Sequence, residues 1–203
     1  MPRMTQLLLN APPDNRSVFD QRSREWFHTR IKQFQSPDIE MKHIGNTPMV
    51  GPQGMIPGWF YMYSYVTPDE TLPYWDRYPF ILMLKRHSND HFYGINFHYL
   101  NYKFRAQLFD ALLEQASPSG LPPHKYTRII VQPRMLQALG RFRPVLASRK
   151  MYRYDRVKSQ CILIPPQDWP VALFLPVARW QRATESRVWA DSLQKIGSGF
   201  GGS

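Results

Sequence analysis

Two short apolar runs on either side of a tight turn constrain the fold of this chain most. Residues 80–87 and 92–99 are each about one strand long, and Ser88-Asn89-Asp90 separates them. Turn-forming residues between apolar runs predict an antiparallel hairpin. A third run, residues 59–66, is aromatic and β-branched and predicts another strand before the hairpin.

The segment after the hairpin predicts a helix, residues 101–116, that packs on these strands. Asn101 stands where a helix needs a capping side chain, and Phe104, Leu108 and Leu112 follow on one face. Three strands that close on such a helix would bury enough apolar surface to form a core.

The whole pattern predicts an α+β fold. Further strands are predicted at residues 126–131 and 160–164, which gives either a small antiparallel sheet or a partly open SH3-like barrel. The 101–116 helix would pack on it, and peripheral helices are predicted near both termini. The second of these covers residues 184–196, with Thr184 or Ser186 as cap and Gly197 as its end.

The chain divides by composition into three parts. Residues 1–58 are predicted to be an arm, a helix and a linker rich in Pro and Gly, and residues 59–196 form a single α+β core domain. Residues 197–203 are a Gly-rich tail that we expect to be flexible.

The amino-terminal helix carries an aromatic face that we predict to be a subunit contact or a core contact. This interpretation is favoured over direct nucleic-acid contact, because the cations occupy the remaining faces. The predicted contact residues are Phe19, Trp26, Phe27, Ile31 and Phe34.

The positive charge is concentrated in one segment. The net charge is +11, and residues 121–158 hold ten Lys and Arg against Asp155 alone. A block of one sign indicates a polyanionic partner, whereas scattered charge serves solubility. Two interpretations remain open: a patch that touches a phosphate backbone, or a solvated loop whose charges face water or acidic neighbours.

No catalytic or metal-binding pattern is found in the sequence, and no cofactor motif is present. His87 and His91 flank a hairpin turn, where their spacing does not bring two ligands together, and His98 is expected to be hydrogen-bonded structure. Asp76 is expected to hold a turn through backbone N–H groups rather than to bind a metal ion.

Cys161, the one cysteine, is expected to be a small core residue in a protein made in a reducing compartment. No apolar run is long enough for a membrane span.

About half of the chain resembles the DNA end-protector (head-completion) proteins of T4-like contractile-tailed bacteriophages. That family carries a Leu-Pro-Tyr-aromatic-Asp-x-aromatic-Pro turn, a paired apolar hairpin, and a helix with Arg-Ala-x-Leu-hydrophobic-Asp-x-Leu. The matching elements here are residues 72–79, 80–99 with Gly94-Ile95-Asn96-Phe97-His98-Tyr99-Leu100, and 105–112. A second block matches at Asp168-Trp169, 172–176 and 188–192.

The resemblance implies a non-enzymatic virion protein, made in the host cytoplasm, that binds and protects the ends of packaged double-stranded DNA at the head or portal. Its partners would be DNA ends and other virion proteins in an oligomeric assembly. Two alternatives remain: a baseplate, tail or neck connector without DNA contact, and a metal-dependent nuclease acting on DNA ends. The residues predicted to contact DNA are Arg141, Arg143, Arg149, Lys150, Arg153, Arg156 and Lys158, with Tyr152 and Tyr154 as rings that would stack on a terminal base.

Overall fold

A computed structural model describes residues 5–6, 49–67, 69, 71–116, 129, 143–173 and 180–197. It has eight described strands: β1 Met49–Val50, β2 Phe60–Met62, β3 Trp75–Asp76, β4 Phe80–Arg86, β5 His91–Asn96, β6 Arg149–Arg153, β7 Cys161–Ile164 and β8 Trp180–Gln181. The described helices are α1 Tyr102–Ala116, α2 Arg143–Ser148, α3 Trp169–Leu173 and α4 Glu185–Gly197. Within these residues no helix is long and apolar enough to cross a membrane. The α+β prediction is confirmed.

Six of these strands form one antiparallel sheet in the order β1-β7-β2-β4-β5-β6, while β3 and β8 pair separately. The predicted hairpin is β4 and β5, joined by the Ser88-Asn89-Asp90 turn. One bridge, between Tyr65 and Val157, connects the segment after β2 to the segment after β6. This bridge curls the sheet but does not close it into a barrel.

Both faces of the sheet are buried against apolar side chains. On one face, Phe60 lies in the middle of a cluster, with its ring centroid 5.1 Å from that of Trp169 and 5.5 Å from that of Phe97. Helix α1 adds Leu108 and Phe109 to this first core. The second core lies inside the curl and is rich in tyrosine, with Tyr63, Tyr65, Tyr152 and Tyr154 around Phe92 and Cys161.

The two helix predictions that fall on described residues are confirmed together with their caps. The Asn101 side chain accepts from the Phe104 N–H at 3.0 Å, and the Thr184 hydroxyl accepts from the Arg187 N–H at 3.3 Å. Side-chain acceptors at these positions satisfy N–H groups that the first turn of a helix leaves without partners.

Several predictions differ from the structure or fall outside it. Part of the predicted linker is strand β1, which pairs with β7. Residues 149–153, predicted to belong to either a phosphate-contacting patch or a solvated loop, are strand β6. Of the predicted strand 126–131 only Ile129 is described, and its N–H bonds to the carbonyl of Gly58, whose φ of +89° suits glycine. The predicted helix carrying Phe19, Trp26, Phe27, Ile31 and Phe34 and the Gly-rich tail from residue 198 lie outside the described residues.

Arg105 on α1 holds the helical layer to the end of the hairpin. Its side chain is fully buried, and it donates from Nε to the Leu100 carbonyl at 2.7 Å and from Nη1 to the Leu173 carbonyl at 3.1 Å. Its Nη2 lies 3.4 Å from the His98 carbonyl and 3.7 Å from Glu185 Oε1 at the start of α4. One guanidinium therefore joins α1, α3, α4 and the turn after β5, and a planar five-donor group is suited to that task.

Arg105→Ala should lower the free energy of unfolding by about 3–5 kcal/mol, because it leaves several buried carbonyls without donors. Arg105→Lys should fall between this variant and the parent, since one ammonium cannot reach all of these acceptors. Urea unfolding measures both. Lys103→Ala, an exposed change two residues earlier, is the control and should shift stability by no more than about 0.5 kcal/mol. Equal losses in the Arg105→Ala and Lys103→Ala proteins would show that the buried guanidinium does not carry this role.

Candidate nucleic-acid interface

Strand β6 at the edge of the sheet divides the predicted DNA-contact residues between two sides. Successive side chains of a strand point to opposite faces. Arg149 and Met151 are exposed and share the outer side with Arg153, whereas Lys150 and Tyr152 face inward. The described cations of β6 therefore lie on two surfaces separated by the strand rather than on one continuous patch.

Tyr152 and Tyr154, predicted to stack on a terminal base, lie in the second core. Their rings pack on Phe92 at centroid distances of 5.4 and 4.7 Å, and each residue is 6% exposed. The Tyr152 hydroxyl accepts from Asn96 Nδ2 at 3.1 Å. The residues therefore serve packing here, because every second position of β6 points into the curl of the sheet.

Asp155 binds several of the predicted cations. Arg153 donates to both of its carboxylate oxygens, at 3.0 and 2.8 Å, and Arg156 Nε lies 3.5 Å from Oδ2. The Lys158 ammonium donates to the Asp155 backbone carbonyl at 2.9 Å. The hydrogen bond from Arg153 is the main cause of a lowered pKa of Asp155. This carboxylate therefore neutralises part of the charge at the end of β6.

Two further residues predicted to contact DNA, Arg143 and Arg141, are not among the described residues on the outer side of β6. Arg143, at the start of α2, donates from Nη1 to the Ile196 carbonyl at 3.2 Å and so caps the end of α4. Arg141 lies outside the described residues.

The strand register adds residues that the sequence did not indicate. Met151 pairs with Tyr93 on β5, and Tyr93 pairs with Lys85 on β4. The Lys85 ammonium lies 5.6 Å from the centre of the half-buried Tyr93 ring, and the exposed His87 ring lies 5.1 Å from it. We call this surface the hairpin face; it consists of Lys85, His87, His91, Tyr93, Arg149, Met151 and Arg153.

The hairpin face has the composition of a polyanion-binding surface. Lys85 and Arg149 are exposed on either side of an aromatic ring, and Arg153 adds a third cation, bound to Asp155. Lysine and arginine pair with phosphates, and aromatic rings accept stacked bases or cations. Lys85 and Tyr93 join the cations of β6 on one surface only because β5 pairs with β6. The sequence could have indicated this only if β6 had been recognised as a strand.

Lys150 is on the opposite side of β6 from the hairpin face. Its ammonium lies 3.8 Å from the centre of the Tyr99 ring. Among the described residues no carboxylate oxygen lies within 4 Å of it. Burial, with a smaller contribution from the charge of Lys195 on α4, lowers the pKa of Lys150 to about 8.

The buried acidic and histidine residues hold structure. Asp76 accepts from the Tyr78 N–H at 3.0 Å, from His98 Nδ1 at 2.6 Å and from Asn96 Nδ2 at 3.2 Å. This confirms that Asp76 holds a turn and that His98 is a hydrogen-bonded structural residue, and both side chains are buried.

Burial raises the pKa of the Cys161 thiol to about 12, which suits a core residue and not a nucleophile. Within the described part of the chain no group of three His, Cys, Asp or Glu residues is placed to hold a metal ion.

Comparison with known families gives one match that covers most of the chain. The model of the family described as phage T4 terminal DNA protecting protein matches residues 8–192. No curated protein and no solved structure matches the chain.

Lys150→Met should raise stability at neutral pH, because it removes the cost of keeping a charged ammonium half-buried in the folded protein. In the parent the folded pKa, about 8, lies below the ordinary value of 10.5. The resulting destabilisation is complete below pH 8 and disappears as the pH rises toward 10.5. The variant should therefore be more stable by about 1–2 kcal/mol at pH 7, after allowance for solvent screening, with a smaller difference at pH 10.

Urea unfolding of both proteins at pH 7 and pH 10 checks this expectation. The titration of tyrosines affects both proteins alike, so it cancels in the difference between their free energies of unfolding. Lys103→Met removes an exposed lysine and should change stability by no more than about 0.5 kcal/mol at either pH. A stability difference for Lys150→Met that is the same at both pH values would contradict the burial of a charged Lys150.

Proposed function

The chain belongs to the family of phage T4 terminal DNA protecting proteins, and on this basis we propose that it shields the ends of phage DNA by occupying them, without enzymatic action. Shielding needs no bond to be made or broken. It needs a surface that holds a duplex terminus for long enough to exclude a nuclease. Phosphate neutralisation supplies such affinity without reading sequence.

The hairpin face supports this proposal, and the grouping of Lys85, Arg149 and Arg153 on one side of the sheet is the observation that carries it. Three strands contribute to this surface, so the cations are held at strand spacing on a rigid support. Tyr93 lies between them and offers a ring beside the phosphate contacts. A half-exposed aromatic ring among cations is what an unpaired base at a terminus would contact.

The place of action that we propose is the phage particle, at the head or portal, where a packaged DNA end is held. In this location the protein would have virion proteins as neighbours as well as DNA. The structure supports an electrostatic role, because Asp76 holds a turn, Asp155 binds arginine, and the described acidic residues form no group placed to hold a metal ion.

The variant Lys85→Ala/Arg149→Ala should weaken DNA binding. Each phosphate contact contributes close to one to the slope of log K against log salt, so the slope should fall in magnitude by about two. Binding of a linear duplex across a salt series measures this, and digestion of the same duplex by an added exonuclease measures protection. The control variant Lys103→Ala/Arg187→Ala removes one lysine and one arginine from exposed helix positions and should keep both properties.

Three outcomes would contradict the proposal. If the parent binds a closed circular duplex as tightly as a linear one, it does not recognise ends. If the parent itself cleaves linear DNA with Mg²⁺ or Mn²⁺, and Asp76→Asn abolishes the cleavage, the nuclease interpretation replaces it. Unchanged DNA binding in the hairpin-face variant, combined with failure to enter particles, would favour a connector without DNA contact.

Asp155→Asn should strengthen DNA binding. The change removes the carboxylate that binds Arg153 and Arg156, so these guanidinium groups become available to phosphates. We expect a rise in affinity of about tenfold at low salt and a steeper salt slope. Asp69→Asn, an exposed carboxylate bonded to Thr71 in another loop, is the matched control and should leave the slope unchanged. Equal slopes for parent and Asp155→Asn would place the DNA away from the end of β6.

A further inference from the structure

We propose that Lys150 and Lys195 form a subsite for the phosphomonoester group at a DNA terminus. This inference rests on the proposed function and adds to it the chemical feature by which an end differs from the interior of a duplex. The cations of the hairpin face offer no such distinction, because phosphodiesters occur along the whole molecule.

The placement of Lys150 is unusual for an edge-strand cation. Its ammonium is turned back under the sheet edge and lies over the ring of Tyr99 rather than in open water. Described carboxylate oxygens lie within 4 Å of the guanidinium groups of Arg105, Arg153 and Arg156, but none lies within this distance of the Lys150 ammonium. A half-buried ammonium without an anionic partner is unfavourable, and an incoming anion would relieve that cost.

Lys195 places a second cation close to the first. It lies on the last turn of α4, near enough for its charge to disfavour the charged form of Lys150. Helix α4 is held in this position by α2, whose first residue, Arg143, donates to the Ile196 carbonyl. Because α2 runs directly into β6, the two lysines are presented by contiguous, packed elements. A dianion bound beside Lys150 would stabilise its charged form against both burial and the charge of Lys195.

A terminal phosphate fits this arrangement better than an internal one. A phosphomonoester carries about −1.5 to −2 charges at neutral pH, whereas a phosphodiester carries one. It also projects from the duplex, so it can reach an ammonium that is recessed beside an aromatic ring. The geometry therefore allows the last phosphodiesters to contact the outer side of β6 while the terminal phosphate enters on the inner side.

The experiment compares two duplexes of one sequence, with either a 5′-phosphate or a 5′-hydroxyl at the ends. The parent should bind the phosphorylated duplex about tenfold more tightly at pH 7, which is the gain expected from a charge-assisted contact. Lys150→Met should bind both duplexes equally, and Lys150→Arg should keep the preference. Lys195→Ala, an exposed change that leaves the core intact, should reduce the preference. Lys103→Met should keep it in full.

Raising the pH provides a second readout that a merely structural lysine would not give. The preference of the parent should fall between pH 7 and pH 9 as Lys150 loses its proton, while that of Lys150→Arg should persist. Among the described residues, the titratable groups around Lys150 are Tyr99 under its ammonium, Lys195, and Tyr152, which is the next inward residue of β6. Burial raises the pKa of Tyr99 and of Tyr152. Both phenols therefore stay neutral through this range.

Equal binding of the two duplexes by the parent overturns the subsite but leaves the proposed function standing if linear DNA is still preferred to closed circular DNA. Loss of the linear preference overturns the proposed function itself. A preference for the phosphorylated duplex that survives in both Lys150→Met and Lys195→Ala would also overturn this inference, because the dianion would then be bound elsewhere.

Discussion

The guanidinium of Arg105 ties the position of the candidate site to the packing of the core. It is buried without contact to water and bonds carbonyls from the turn after β5 and from α3, with Glu185 of α4 close by. Trp189 on α4 donates to the His98 carbonyl, the acceptor that also lies near Arg105. The orientation of α4 is set by these contacts at its start, and its far end places Lys195 beside Lys150. Charges at the edge of the sheet thus depend on a polar cluster in the middle of the fold.

Strand β6 serves two structural requirements with one alternating sequence. Its inward positions complete the second core through Tyr152, while its outward positions carry Arg149 and Arg153. Charged side chains on an edge strand also prevent pairing with the edge of another molecule. Less of the β6 edge is open to such pairing, because the Arg153 N–H already donates to the Tyr65 hydroxyl at 3.4 Å. Just beyond β6, Val157 forms a bridge with Tyr65. The charge needed for a solitary edge strand is the same charge that makes the hairpin face attractive to phosphates.

The elements that follow from local sequence were predicted well. The hairpin, α1 with its Asn101 cap, α4 and the turn held by Asp76 each depend on residues close together in the chain. The local pattern of β6 did not identify a strand, because residues 149–153 contain three cations and only two uncharged residues. Its alternation becomes meaningful only opposite β5, more than fifty residues away. For the same reason, the pairing of Tyr93 with Met151 and the inward position of Tyr152 were beyond the reach of a linear reading.

The position of the single cysteine bears on the covalent chemistry of the molecule. Cys161 lies in β7, pairs with Val50, and is both buried and un-ionised at neutral pH. Thiol–disulfide exchange proceeds through an accessible thiolate, and this side chain offers neither access nor charge. The described fold is therefore indifferent to the redox potential of its surroundings. A copy of this fold can move from a reducing to an oxidising medium without being cross-linked through this sulfur to a neighbour.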